Sequence, residues 1–388
     1  MPYLIIILGA EKFGTLVFAQ AICGYFLFIV DYGFSLSATK EIAENKNDSK
    51  NINKIFTSVM ATKLILCIIC FLVLHFICIS FERFNNDYWI YVLSYGVVFG
   101  NFLFPVWYFQ GIEKMQYIAV FNIIPKILFL ILIFVFIKSE NDFFYVPILF
   151  SFGFIISGLL SLLYSLYQGV RFVPITKKDI CVQFLSGWNF FVGMFSSGLS
   201  NNSILLFLGL LTNNTVVGLY SAVDKIIQPI SAISISVMNV IYPHMVRLKK
   251  EFNKSAVYKF SNKISIIYLM ILSLSYLIVF MFSEFIISAY ILGTEFEASI
   301  DIFYILIFIP PLTSFLNIFL ISNCLVNNYS KEYSKILLLT FIFGLINTPI
   351  FIHYWQEIGA AMSALILELT KVLLMSIFLY QKNRNVNG

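Results

Sequence analysis

Long apolar runs alternate with short polar stretches along the whole chain. A bilayer-crossing helix needs roughly 20 apolar residues. Runs of that kind fall near Gly14 to Phe34, Lys63 to Phe81, Tyr88 to Gln110, Ile118 to Ile137, Phe144 to Tyr167 and Cys181 to Leu211. The second half supplies Val216 to Val240, Ile264 to Ser288, Ile302 to Val326, Ile336 to Tyr354 and Ile358 to Tyr380. The pattern predicts eleven complete spans, preceded by an apolar stub, Met1 to Leu8, that reaches only about 12 Å at 1.5 Å per residue. The expected fold class is an all-α integral membrane protein of about twelve helices, the first truncated, in two six-helix pseudo-symmetric bundles. These divide the chain into 1–170, a cytoplasmic linker 171–180, and 181–388 with a short cytoplasmic tail.

Charge on the connections alternates. Segments following the spans that end near Phe34, Gln110, Tyr167, Val240, Val326 and Tyr380 hold 19 of the 25 basic residues, Lys63 counted among them. The opposite connections hold only Lys12, Arg83 and Lys138. The basic set is cytoplasmic by the positive-inside rule, which puts the C-terminus in the cytoplasm. The two longest basic segments, Ala38 to Thr62 and His244 to Asn262, read as solvated loops facing anionic lipid; a surface amphipathic helix is the other reading. A spacing of six spans between these loops suggests internal duplication, supported faintly by the repeated pairs Phe13-Gly14 and Val217-Gly218.

Composition narrows the class. Of the 388 residues, 60% are hydrophobic and 12% charged, against about 25% charged in soluble domains, so a water-soluble chain is excluded. Spans and short loops consume the length, leaving no room for a nucleotide-binding cassette or a large enzyme head. Cys67-x-x-Cys70 has zinc or redox spacing, but it lies in an apolar run without a second ligand pair and reads as packing. Trp89, Trp107, Trp188 and Trp355 fall near span ends, and an interfacial belt explains most of them. No arrangement for nucleophilic catalysis is present.

Charges within spans are costly and therefore candidates for function. Six stand out: Asp31, Lys126, Asp224, Lys225, Glu368 and Lys371. Lys126 follows Pro125 at about 12 Å from the cytoplasmic end of its span, and snorkelling to a headgroup is its alternative reading. Asp224 and Lys225 are adjacent, so their side chains diverge by about 100° and at most one faces a cavity. Glu368 and Lys371 are three apart and can form a local ion pair, structural or functional. Asp31 reads as a helix-end residue.

Several stretches resemble the Wzx-type O-antigen flippases, in the polysaccharide transporter branch of the multidrug/oligosaccharidyl-lipid/polysaccharide (MOP) superfamily. They are Pro2-Tyr3-Leu4 with Leu8-Gly9-x-Glu11-x-Phe13-Gly14 and Phe18-Ala19-Gln20-Ala21, then Tyr32 to Ala43. Further along come Pro105-x-Trp107-x-Phe109-Gln110-Gly111-x-Glu113-Lys114-Met115, Val217 to Ala222 with Asp224-Lys225, and Tyr242-Pro243. Family members carry a complete first helix with a basic start, so upstream DNA is expected to encode about 20 further residues.

The resemblance implies translocation of undecaprenyl-diphosphate-linked O-antigen repeat units from the cytoplasmic to the periplasmic leaflet of a bacterial inner membrane. Lys225, Lys126 and Lys371 are the expected cationic lining for the diphosphate, and Asp224 or Glu368 the expected coupling group for a proton or sodium gradient. No cofactor is implied. Implied partners are the lipid-linked oligosaccharide, membrane lipid, an O-antigen polymerase and a chain-length regulator; nucleic acid is not among them. The alternatives are a multidrug exporter of the same superfamily and an O-antigen polymerase, though no outer connection is long or Arg-rich enough for the latter.

Overall fold

The computed structural model describes residues 2–251, 257, 259–267, 269–270, 299–327 and 329–387. Among them the regular structure is helical. The elements are α1 (Pro2–Asp31), α2 (Phe34–Glu44), α3 (Ser49–Ser80), α4 (Glu82–Asn85), α5 (Tyr88–Ser94), α6 (Gly96–Leu103) and α7 (Val106–Gly111). They continue with α8 (Met115–Phe136), a 3-10 turn (Glu140–Phe144), α9 (Tyr145–Tyr167), α10 (Lys177–Leu211) and α11 (Asn214–Glu251). The remainder comprises α12 (Ser299–Leu306), α13 (Ile309–Phe315), a π turn (Leu316–Ile321), α14 (Ser322–Val326) and α15 (Ser330–Asn387). Eight stretches of the described residues are long and apolar enough to cross a membrane. The expected span Ile264 to Ser288 lies outside the described residues beyond 270, as does Lys254.

The apolar stub is set off from the span that follows, as the sequence suggested, by a backbone break. Residues from Pro2 run into α1, interrupted only at Gly9, where φ 70° and ψ 175° break the helix. The expected solvated loop Ala38 to Thr62 is corrected. Gly33 in the left-handed region starts α2, and Asp48 starts α3 by accepting from the backbone N–H of Lys50 (3.0 Å) and Asn51 (3.1 Å). An aspartate at the N-cap followed by residues without Pro or Gly extends α3 well ahead of its apolar run.

The helices of residues 88–111 are broken where Pro105 removes a backbone donor and the backbone at Phe104 turns extended. Likewise the long α15 contains a break at Gln356, separating the two spans expected there.

By backbone proximity the residues form two units, Thr15–Asn202 and Met1–Gly14 with Ser203–Gly388. Against the division read from the sequence, 1–14 go with the second half and 181–202 with the first.

In the first unit, α9 turns a seam of small residues (Ser151, Ser157, Gly158, Ser161, Ser165) inward. A Cβ on Gly100 of α6 would come within 2.5 Å of the Phe154 carbonyl carbon, so the two backbones touch. Small-residue seams of this kind drive helix association where no hydrophobic force between helices exists. The seam hydroxyls are satisfied: Ser151 donates to the Leu93 carbonyl (2.6 Å), Ser157 to that of Phe121, and Ser165 to that of Ser161 (2.8 Å).

Residues 171–176 do not hang free as a linker but lie along α3. The Arg171 N–H donates to Asn53 Oδ1 (2.9 Å), the Val173 N–H donates to Thr57 Oγ1 (3.1 Å), and Phe172 packs on Phe56. Thr176 then caps α10, its N–H donating to Asp179 Oδ2 (2.9 Å), while Lys54 Nζ pairs with Asp179 Oδ1 (2.8 Å). Lys54, followed by the Thr176 N–H and hydroxyl, holds the Asp179 carboxyl down to about 2.

Because the folded pKa is depressed, this stabilisation is fully present above the ordinary carboxylate value of about 3.9 and is lost as pH falls through about 2. The melting-temperature deficit of Asp179→Asn is therefore expected to be equal at pH 7 and 5 and to shrink by pH 3. Thermal unfolding in detergent micelles measures it; a deficit that grows on acidification contradicts the pairing.

Candidate functional site

The stretches that carried the family resemblance meet in space, two by two. In one pair, α2 packs on α7: Thr39 Oγ1 lies 3.1 Å from Gln110 Oε1 and 3.2 Å from the Trp107 carbonyl. Lys46 Nζ is 2.9 Å from Glu113 Oε2, and a Cβ on Gly111 would strike Ile42. Trp107 is fully buried and packs on Phe56 at 5.2 Å between ring centroids. Trp107 is thus an exception to the interfacial belt: it fills the α2–α3–α7 junction. Trp89, Trp188 and Trp355 remain exposed.

The second pair joins the two repeated dipeptides. A Cβ on Gly14 would fall inside the Asn214 carbonyl oxygen and 2.7 Å from the Gly218 nitrogen, and one on Gly218 would fall inside the Ala10 carbonyl oxygen. Main chain thus meets main chain where each glycine was legible as a faint repeat.

Charges within the helices are handled differently. The largest departure concerns Lys63, counted with the cytoplasmic lysines. Its side chain is 1% exposed, and its Nζ lies 3.3 Å from Oδ1 of Asp31, which is a third exposed. Starting α3 at Ser49 places Lys63 four turns into the helix, on the buried face it shares with Leu66, Cys67, Cys70 and Leu74. Tyr95 donates to the Cys67 carbonyl at 2.6 Å on the same face. Asp31 is accordingly a counter-ion rather than merely a helix end. The signal that could have found Lys63 was the Asp48 cap.

In the second unit, Lys371 Nζ lies 2.9 Å from Glu368 Oε2, the spacing-predicted pair, with side chains 19% and 8% exposed. One turn of helix apart, Gln228 Nε2 donates to Asp224 Oδ2 at 2.6 Å. Asp224 and Lys225 are each half-buried on α11. Lys126 is exposed on α8, on the side that also exposes Ile123, Ile127 and Leu130, and belongs to a different unit from Lys225 and Lys371. The structure therefore joins Glu368 to Lys371, and it does not gather the three candidate lysines within one unit.

A buried amide array completes the second unit. Asn317 Nδ2 in the π turn donates to Ser234 Oγ (2.9 Å), and Asn323 Nδ2 donates to Ser261 Oγ (2.8 Å). Paired amides and hydroxyls hold helices together without charge.

Comparison with known proteins fits this architecture. Proteins named "Putative O-antigen transporter" are 25% identical in Escherichia coli (strain K12) and 26% identical in Shigella dysenteriae, each over 378 residues and 97% of this chain. The matches cover 91% and 93% of those proteins respectively. Among solved structures, the lipid II flippase MurJ in an inward closed conformation superposes with a TM-score of 0.79 at 14% identity, over 98% of this chain and 85% of MurJ. An inward-facing MATE-family multidrug resistance transporter of the MOP superfamily gives 0.66 at 12% identity, over 98% of this chain and 93% of its own. The fold is that of MOP flippases and transporters. Residues 1–249 match the polysaccharide biosynthesis protein family, to which this chain belongs.

Proposed function

We propose that this chain is a transporter, not an enzyme, and that it moves undecaprenyl-diphosphate-linked O-antigen repeat units from the cytoplasmic to the periplasmic leaflet of a bacterial inner membrane by alternating access. The observation that carries this reading is the family match over residues 1–249, joined to O-antigen transporter relatives across 97% of the chain. The physical task suits such a fold. A diphosphate and its sugars cannot cross hydrocarbon unaided, so polar groups inside the protein must replace water. The breaks at Gly9, Pro105 and Gln356 supply bending points for helices that open and close.

Lys225, Lys126 and Lys371 are assigned to the diphosphate. Lys225 leads, because it lies in a family-matching stretch and no carboxylate is within ion-pair distance of it among the described residues. Asp224 or Glu368 is assigned to coupling with a proton or sodium gradient. The excess of basic residues on alternate loops supports a cytoplasmic C-terminus. An O-antigen polymerase and a chain-length regulator are the expected downstream partners.

Surface polysaccharide separated on a gel tests the proposal. Deleting the gene is expected to abolish the long-chain ladder and restoring it to recover the ladder. An intact ladder with altered drug tolerance would transfer the chain to the exporter class. Lys225→Gln, which removes a charge-assisted hydrogen bond to phosphate, is expected to lower ladder recovery about tenfold at equal protein level. Unchanged recovery would remove Lys225 from the site.

A further inference from the structure

Arg83 stands apart from the paired cations. It belongs to the four-residue α4 that joins the ends of α3 and α5, outside the spans and on the side opposite the basic loops. Its guanidinium is turned inward, with Cζ 5.5 Å from the ring centroid of Phe18. Phe18, Phe84 and Tyr91, 0%, 7% and 1% exposed, pack on one another at 5.2 to 6.2 Å around it. Nε and Nη2 are both buried, and neither has an acceptor among the described residues.

Those two atoms form one edge of the guanidinium, whose parallel N–H groups match two oxygens of a single oxyanion. Burial lowers the affinity of the group for its proton, an effect that Tyr91 and Asp87 oppose electrostatically. A buried donor pair without acceptors is expensive, and that expense is recovered when an anion meets the edge. At the end of a membrane span the abundant oxyanion is a phosphate ester, since lipid headgroups and lipid-linked diphosphates lie at that level.

We propose that the Nε–Nη2 edge of Arg83, in its collar of Phe18, Phe84 and Tyr91, is a phosphate-recognition site at the outer end of the first unit. The phosphate reaches the edge when α4 lifts from Phe18. The cation–π contact closes the site, and the two N–H···O bonds replace it. The phosphate comes either from bulk lipid headgroups or from a lipid-linked diphosphate. The second source rests on the transport reading and would make Arg83 a station on the release side.

The test uses the full chain in dodecyl maltoside micelles, whose headgroup carries no phosphate, with thermal unfolding read while inorganic pyrophosphate is titrated. Wild type is expected to gain melting temperature saturably, with about tenfold weaker response in Arg83→Lys, which keeps the charge but loses the edge, and in Arg83→Gln. Arg83→Lys remains the comparator if Arg83→Gln does not yield a monodisperse protein. In a second arm phosphatidylglycerol is added to the micelles. A stability gain there that depends on Arg83, with no further effect of pyrophosphate, supports the site and assigns the phosphate to bulk lipid. Equal responses of wild type and Arg83→Lys in both arms, or no response in either, overturn the site. The surface-polysaccharide ladder is scored separately, so an intact ladder beside a failed titration removes this site and leaves transport standing.

Discussion

Replacing Asp31 by alanine is expected to destabilise the folded protein by about 2–3 kcal/mol, and replacing Lys63 by methionine by about 1 kcal/mol or less. The asymmetry follows from burial. Lys63 is 1% exposed, so loss of its carboxylate leaves an uncompensated ammonium inside the helices. Asp31 is a third exposed, so loss of the lysine leaves a carboxylate that water can still reach, and methionine refills the volume. The full figure for a broken buried pair, about 3–5 kcal/mol, is discounted for that exposure. The double variant Asp31→Ala/Lys63→Met should recover most of the loss. Equilibrium unfolding in micelles measures all three, and equal losses for the two single variants would show that the pair is not buried asymmetrically.

Gly218→Leu is expected to reduce the folded population more than any single charge substitution. Its Cβ would occupy the Ala10 carbonyl, a backbone atom that cannot turn aside, and Gly14 lies on the same contact. Overpacking against side chains costs typically about 1–3 kcal/mol, and a backbone obstacle puts this site at or beyond the upper end. Gly14→Leu should behave alike. Gly344→Ala is the contrast: its Cβ would meet only the flexible end of Leu367 at 3.1 Å, so it should cost about 1 kcal/mol or less. Membrane yield and monodispersity of the three variants decide the point, and a well-folded Gly218→Leu would contradict the close contact of the two segments.

Much of the helical frame was legible because run length answers to bilayer thickness. Phe144 to Tyr167 and Cys181 to Leu211 correspond closely to α9 and α10. The Glu368–Lys371 contact was legible because i,i+3 spacing places both on one helix face. What escaped depended on polar residues continuing a helix. Asp48 starts α3 ahead of its apolar run, and only that carries Lys63 into the interior. Trp107 falls near a span end like the belt tryptophans, but its burial depends on Phe56, about 50 positions away, which local pattern does not reveal. The glycine repeats were visible as a faint similarity, whereas their mutual contact is tertiary. Arg83 was legible as one of few basic residues on its side of the membrane, but not that its guanidinium turns inward onto Phe18.

The most direct measurement places the purified chain in proteoliposomes with a fluorescent undecaprenyl-diphosphate oligosaccharide. Its exposure to a membrane-impermeant quencher is followed in time. Wild type is expected to equilibrate the lipid between leaflets faster than protein-free vesicles, with Lys225→Gln slower than wild type. Equal rates with and without a correctly folded, uniformly reconstituted protein, under an imposed proton or sodium gradient, would contradict the assignment of this chain as a lipid-linked oligosaccharide flippase.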